Sequence, residues 1–219
     1  MVAAALTAKV TLNSLELWVP YVEPSLKIEK LITQRLNTNN PIQVLFKKRT
    51  MNNISIPTGA KYSWKIGNVS SSVRFLFIAF KLSDPPLNTV NNSLFTMVNG
   101  NNQITSMRVQ LNNLYYPIDN MKMNFKDYKI AEPYNAYVNA CKSFGVEPQL
   151  DLLVQEYRDL YPIICFDTSA CPESLQSNGI DITIHIEKSP ALTLEGYCLV
   201  LEDSIWNIEV AEGRMLRLS

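Results

Sequence analysis

YPIICFDTSACPESLQSNGIDITIHIE, residues 161–187, joins two strands of opposite character through one turn-rich connection. Pro162 to Asp167 is apolar on both faces, the pattern of a strand covered on each side. From Ile180 the pattern changes to strict alternation. Ile180, Ile182, Ile184 and Ile186 share one face, and Asp181, Thr183, His185 and Glu187 share the other, so one side meets a core and the other meets water or a partner. Asp167, Thr168, Ser169, Pro172, Ser177, Asn178 and Gly179 between them are turn formers. The reading is a β-sandwich with these two strands in opposite sheets.

Working outward, Gly196 to Glu202 supplies a final strand, with Tyr197, Leu199 and Leu201 alternating against Cys198 and Val200. Upstream, Ile130, Tyr134, Tyr137, Val138 and Cys141 recur at helical spacing, Pro133 suits a first helical turn and Gly145 a stop. Asp151 to Arg158 adds a short second helix. Ile104 to Leu111, Val73 to Leu82, Lys61 to Ile66 and Ile42 to Lys47 read as strands separated by Asn-, Ser-, Pro- and Gly-containing turns. Val73 to Phe80 is nearly all apolar and is the expected central strand, with Arg74 near its exposed end. Ser83 to Asn102, rich in Pro and Asn, reads as a long surface loop. Leu26 to Asn37 carries Ile28, Leu31, Ile32 and Leu36 at helical spacing, so an amphipathic helix is expected to cover one end of the sandwich. Val10 to Trp18 reads as the first strand, with a phase change near Asn13-Ser14 that suggests a bulge. The strands near 10, 42, 61, 73, 104, 162, 180 and 196 number eight, as in a jelly roll of two four-stranded sheets. The expected architecture is therefore an all-β, eight-stranded jelly-roll sandwich with short helical insertions. It is expected to occupy 1–219 as a single domain, with 1–9 as a linker or flexible N-terminus and 205–219 as a C-terminal extension.

The 219 residues fit one large sandwich, and 47% hydrophobic with 18% charged residues is the balance of a folded globular chain. Twenty basic residues offset twenty acidic ones, so no global field points to nucleic acid or to an anionic membrane. The run Lys47-Lys48-Arg49 has no glycine-rich loop or aromatic platform beside it and reads as a solvated strand end. Cys141, Cys165, Cys171 and Cys198 form no CxxC pair, which argues for reduced thiols over a zinc site. The short apolar start, Met1 to Leu6, lacks the form of a signal peptide, and no run approaches the roughly twenty residues of a membrane span. Synthesis inside the cell is the expectation. The sequons at Asn53, Asn68 and Asn91 then read as loop asparagines.

His185 is the one histidine, which excludes a multi-histidine metal site. Asp181, Thr183 and Glu187 share its face, and two carboxylates beside an imidazole are a donor set for a metal or a proton relay. Alternate strand positions spread along a line, however, whereas metal ligands converge on a point, so the simpler reading is a solvated face or subunit contact. Asp167, Ser169 and Cys171 lack a nearby base, and Asp167 and Ser169 are expected to bond backbone groups of their turn. Cys165 lies in a buried strand and should be inert. Tyr115, Tyr116, Tyr128, Tyr134 and Tyr137 could stack on sugars or bases, though packing is the commoner use of such residues. No P-loop, dinucleotide fingerprint or nucleophile elbow is present. The residues thus nominate no catalytic, cofactor or metal site.

Tyr161-Pro162, Phe166-Asp167-Thr168-Ser169, Glu173-Ser174-Leu175 and Ile180-Asp181-Ile182 together resemble the end of the second jelly roll in double-jelly-roll major capsid proteins of Polinton-type elements, adintoviruses and related insect and protist viruses. The resemblance extends to Trp18-Val19-Pro20, to the Trp64 strand before the apolar one, to Leu111-Asn112 with Tyr116-Pro117, and to Gly196-Tyr197 through Glu202-Asp203. It implies a structural protein of the virion that works by self-assembly. Its partners would be itself, a sister jelly roll and other capsid proteins, in a trimeric capsomer, with no cofactor, enzymatic activity, specific nucleic acid or membrane span. Only one of the family's two rolls is covered, which leaves open a fragment, a degenerate copy or a subunit that pairs with another polypeptide. Two other functions remain: a β-sandwich module binding a ligand or carbohydrate through the tyrosine-rich insert or the 83–102 loop, and a cupin-type enzyme, which a single histidine disfavours. The 83–102 loop and the 126–145 insert are the expected contact surfaces.

Overall fold

The computed structural model describes residues 11–38, 41–69, 72–83, 95, 97, 104–145, 154–171, 179–189, 193–211 and 214–218. In chain order these give α1 (Leu26–Asn37), β1 (Ile42–Ile56), β2 (Lys61–Val69), β3 (Ser72–Leu82), β4 (Ile104–Leu111) and β5 (Leu114–Lys122). There follow α2 (Ala131–Ser143), α3 (Val154–Asp159), β6 (Ile164–Asp167), β7 (Ile180–Lys188), β8 (Leu194–Ala211) and β9 (Arg214–Leu218). The chain divides into two compact units, residues 43–206 and residues 1–42 with 207–218.

One sheet runs β1-β8-β3-β6, with β9 paired to β8, and the other runs β2-β7-β4-β5. Setting β9 aside, successive strands alternate between two four-stranded sheets except at the β4–β5 hairpin, which is the wiring of a jelly roll. β6 and β7 do lie in opposite sheets. The alternation of β7 is matched by its burial: Ile180, Ile182 and Ile184 are fully buried and Ile186 nearly so. They pack with Trp64, Met107, Val109 and Leu111 of their own sheet against Leu76, Ile78, Ile164, Phe166 and Val200 of the other. β3 sits between β8 and β6, the central position its apolar run demands. A bulge between Val73 and Phe75 shifts its register against β8. Gly196 of β8 lies where the sandwich is tightest. A Cβ there would stand 3.0 Å from Cζ3 of Trp64 and 3.3 Å from Cδ1 of Ile56, so glycine is what lets the indole fill the space.

β6 is apolar on both faces because both are covered. Phe166 and Ile164 face the main core, while Cys165 joins Phe75, Ala140 and Leu201 in a second cluster beneath α2. The helix ends as its sequence suggests, with Gly145 at a φ of +67° and its N–H bonded to the carbonyl of Lys142.

Several expectations need correction. Residues 11–25 form neither helix nor strand, so the strand expected over Val10 to Trp18 is not there from residue 11 onward, Val10 lying outside the described residues. A strand persists only where another backbone satisfies its N–H and C=O groups, and the place beside β8 belongs to β1. The strand that keeps the count at eight is β5. It follows a two-residue turn in which Asn112 takes a φ of +52°, and it pairs back on β4 through Leu111 and Leu114. β1 extends well past Lys47, and β8 continues past Glu202 to Ala211, with β9 paired antiparallel to its end. Asn53 and Asn68 lie in β1 and β2 rather than in loops, while Asn91 lies outside the described residues. α1 forms over the residues expected of it, but of its apolar side only Leu36 is buried, whereas Ile28, Leu31 and Ile32, expected to cover the sandwich, are exposed. Among the described residues no helix is long and apolar enough to cross a membrane.

Candidate functional site

Alternation along β7 sends His185 to the outer face of the β2-β7-β4-β5 sheet, and register decides its company. Ser63 of β2 and Arg108 of β4 are its cross-strand partners. Nδ1 of His185 stands 3.0 Å from Oγ of Ser63, and Nε2 stands 2.9 Å from Oε1 of Gln110. The amide of Gln110 is oriented because its Nε2 donates to the carbonyl oxygen of Asn112 at 2.8 Å. Its Oε1 is therefore an acceptor, His185 must carry its proton on Nε2, and Nδ1 accepts from the Ser63 hydroxyl. Burial, and then the neighbouring Arg108 guanidinium, hold the imidazole pKa below its ordinary value, so the ring is neutral at pH 7. Both nitrogens are occupied. The ring ties three strands together and has no free lone pair for a metal or a substrate proton.

Around this network the face is polar and internally paired. Arg108 lays its guanidinium 4.0 Å over the ring of Tyr115, which itself lies 5.6 Å from the imidazole. Lys61 and Glu187 form an ion pair at 2.9 Å. A depression of about 140 Å³ opens among Lys61, Ser106, Arg108, Asn120, His185 and Glu187. At the far end of β7, Asn112 and Asp181 clasp the strand: the Asn112 N–H donates to the Asp181 carbonyl, and the Asp181 N–H donates to Oδ1 of Asn112. Asp181, Thr183, His185 and Glu187 thus run along a line on one face. Among the described residues no three His, Cys, Asp or Glu side chains gather where a metal could be held.

The other residues singled out from the sequence are absorbed by packing. Oδ1 of Asp167 accepts from the N–H of Ser169 at 2.9 Å, the backbone bond expected of this turn, and from its hydroxyl at 2.6 Å, so Ser169 bonds the Asp167 side chain instead of the backbone. The Thr168 hydroxyl donates to the carbonyl of Val73 at 2.9 Å, tying the turn to β3. Cys171 is buried. Burial pushes the thiol of Cys198 up to about 12, and burial followed by the charge of Cys141 raises that of Cys165 further still. Tyr134 and Tyr137 pack around the buried ring of Tyr157 at 5.2 and 5.4 Å, and Tyr128 lies 3.8 Å under the guanidinium of Arg158. Tyr134 and Tyr137 are thus spent on packing, while Tyr128 is exposed and has one ring face taken by Arg158. In the basic run, Lys47 stands 4.6 Å over Phe144 and Lys48 stands 3.5 Å from the buried carboxylate of Glu202.

Two contact surfaces can now be compared. The 126–145 insert spends its apolar side on its own sheet, where Ala136, Tyr137 and Ala140 cover Phe75 and Phe77. The 83–102 loop lies outside the described residues except for Ser83, Phe95 and Met97. The sequence reading missed a third surface on the outer side of β1 and β8. Leu45 is 76% and Ile205 50% exposed there, beside an open groove of about 480 Å³ lined also by Phe46, Lys47, Ser72 and Asp203. Its signal was the apolar run of Val44, Leu45 and Phe46 in a strand at the edge of its sheet.

Comparison with known proteins adds to this geometry. The family model of a double jelly roll-like domain matches residues 1–206. No curated protein matches the sequence. Among solved structures, PBCV-1 VP54 fitted into a cryo-EM reconstruction of the virophage Sputnik is similar over 89% of this chain and 54% of that chain, with 10% identity and a TM-score of 0.42. A quasi-atomic model of the PBCV-1 virus capsid is similar over 85% of this chain and 54% of that one, with 11% identity and a TM-score of 0.42. The chain spans about half the length of the solved chains it matches.

Proposed function

The chain belongs to the double jelly roll-like family, and on that footing we propose that it is a structural subunit of a viral or transposon-encoded capsid, acting by association and not by catalysis. The family match over residues 1–206 carries the reading. The jelly-roll sandwich provides a rigid frame, and its edges and outer faces provide contacts that symmetry can repeat. The apolar outer side of β1 and β8 supports this, since a monomer gains nothing by exposing Leu45 and Ile205 together. His185, neutral and bonded through both ring nitrogens, supports a structural face over an acid–base centre.

In this reading residues 1–219 form one roll, with 1–9 as linker and 205–219 as an extension that carries the end of β8 and β9. A sister roll, on the same or another polypeptide, stands beside it, and three such pairs form a capsomer within the virion. Other capsid proteins complete the contacts, and nucleic acid is not recognised specifically. Electron microscopy of the chain, expressed alone and together with its sister roll, tests the proposal. Ring-shaped trimers or closed shells are the expected images. A field of single small particles under both conditions would overturn the capsid role while leaving the fold intact.

A further inference from the structure

We propose that the depression on the outer face of the β2-β7-β4-β5 sheet is a binding site for a carboxylate, held by Arg108 together with Ser106 and Asn120. Three observations converge. First, Ser106 is only 5% exposed, lines the depression, and its hydroxyl has no hydrogen-bond partner among the described residues. A buried hydroxyl left without a partner is costly, so a group in the depression that accepts from it, once the side chain turns about χ1 to face that group, relieves the cost. Second, Lys61 and Glu187 neutralise each other at 2.9 Å, whereas Arg108 has no carboxylate within ion-pair distance among the described residues. The site therefore carries one unmatched positive charge. Third, Tyr115 occupies the face of the Arg108 guanidinium at 4.0 Å, which leaves its edge N–H groups for in-plane acceptors, the geometry that suits a planar carboxylate.

The neighbours narrow the ligand class. His185 does not compete, because its two nitrogens are engaged by Ser63 and Gln110. A single net positive charge fits a monovalent carboxylate better than a divalent phosphate. The volume of about 140 Å³ admits a carboxylate on a short stem and falls below the roughly 300 Å³ at which pockets for larger ligands begin. A free carboxylate and an Asp or Glu side chain of a second copy share this chemistry.

The whole chain is titrated with sodium acetate against sodium chloride at matched ionic strength, and the side-chain N–H resonances of Arg108 and Asn120 are followed by NMR. A saturable shift with acetate alone is expected, with affinity weakened at least about tenfold in Arg108→Gln and more modestly in Ser106→Ala. If a second copy supplies the carboxylate, the same resonances shift with protein concentration in chloride, and acetate reverses the shift. If the ligand is free, acetate acts and protein concentration does not. An acetate response no different from chloride, with no dependence on protein concentration, overturns the site, as does a saturable response unchanged in both variants. Should Arg108→Gln fail to fold, Ser106→Ala carries the test alone.

Discussion

Replacing Ile184 by Ala should cost far more than replacing its neighbour Thr183 by Ala, because β7 has one face in the core and one outside it. Ile184 is fully buried between Trp64 and Val109, its cross-strand partners in β2 and β4. The substitution deletes three carbons, worth about 0.8 kcal/mol each in transfer, and leaves a cavity that the crowded sandwich can only partly close. A loss of about 3–4 kcal/mol follows, within the range found for such core truncations. For a chain of this length that lowers Tm by roughly 6–16 °C. Thr183→Ala, on the outer face between Lys65 and Gln110, should stay within about 0.5 kcal/mol. Urea unfolding followed by tryptophan fluorescence, to which the buried Trp64 contributes beside Trp18 and Trp206, and by circular dichroism gives both numbers. Equal losses from the two substitutions, or a loss below about 1 kcal/mol from Ile184→Ala, would refute the assigned faces.

Gly196→Val should destabilise by about 1–3 kcal/mol, since the added carbons enter space already filled by Trp64 and Ile56; a thermal midpoint at or above that of the parent would contradict the packing. The pKa of His185 is lowered on folding, so between its folded value and about 6.5 the unfolded chain binds the extra proton and stability falls as pH drops through that window. Denaturation at pH 7.5 and 5.5 should show a loss in the parent that is smaller in His185→Gln, and identical pH dependence would remove the argument. Native labelling with a thiol reagent at pH 8 should modify Cys141 first. Cys165 and Cys198, both buried with raised pKa values, should react only on unfolding, as mass spectrometry of the labelled peptides would reveal.

What could be read before the structure was whatever one-sided burial writes into the chain. β7 announces itself because its sheet has a core side and an outer side, and β6 because α2 covers the face that would otherwise be polar. α2 ends at Gly145 because a left-handed residue stops a helix. β5 hid because it is an edge strand with Tyr116, Pro117, Asp119 and Asn120 in it, and of its residues only Met121 is buried. The 10–18 segment misled for the opposite reason: it has the composition of a strand, but composition does not supply a partner. The polar network was illegible because Ser63, Gln110 and His185 are far apart in sequence and meet only through the register of three strands.

Self-association is the property on which the functional account depends most directly, and light scattering of the purified chain over a concentration series measures it. The account predicts mass rising from the 24.8 kDa of one chain toward three times that value or beyond, with Leu45→Glu on the exposed β1 surface reducing the rise. A mass fixed at one chain at every concentration, together with no binding to a separately expressed sister roll, would contradict it.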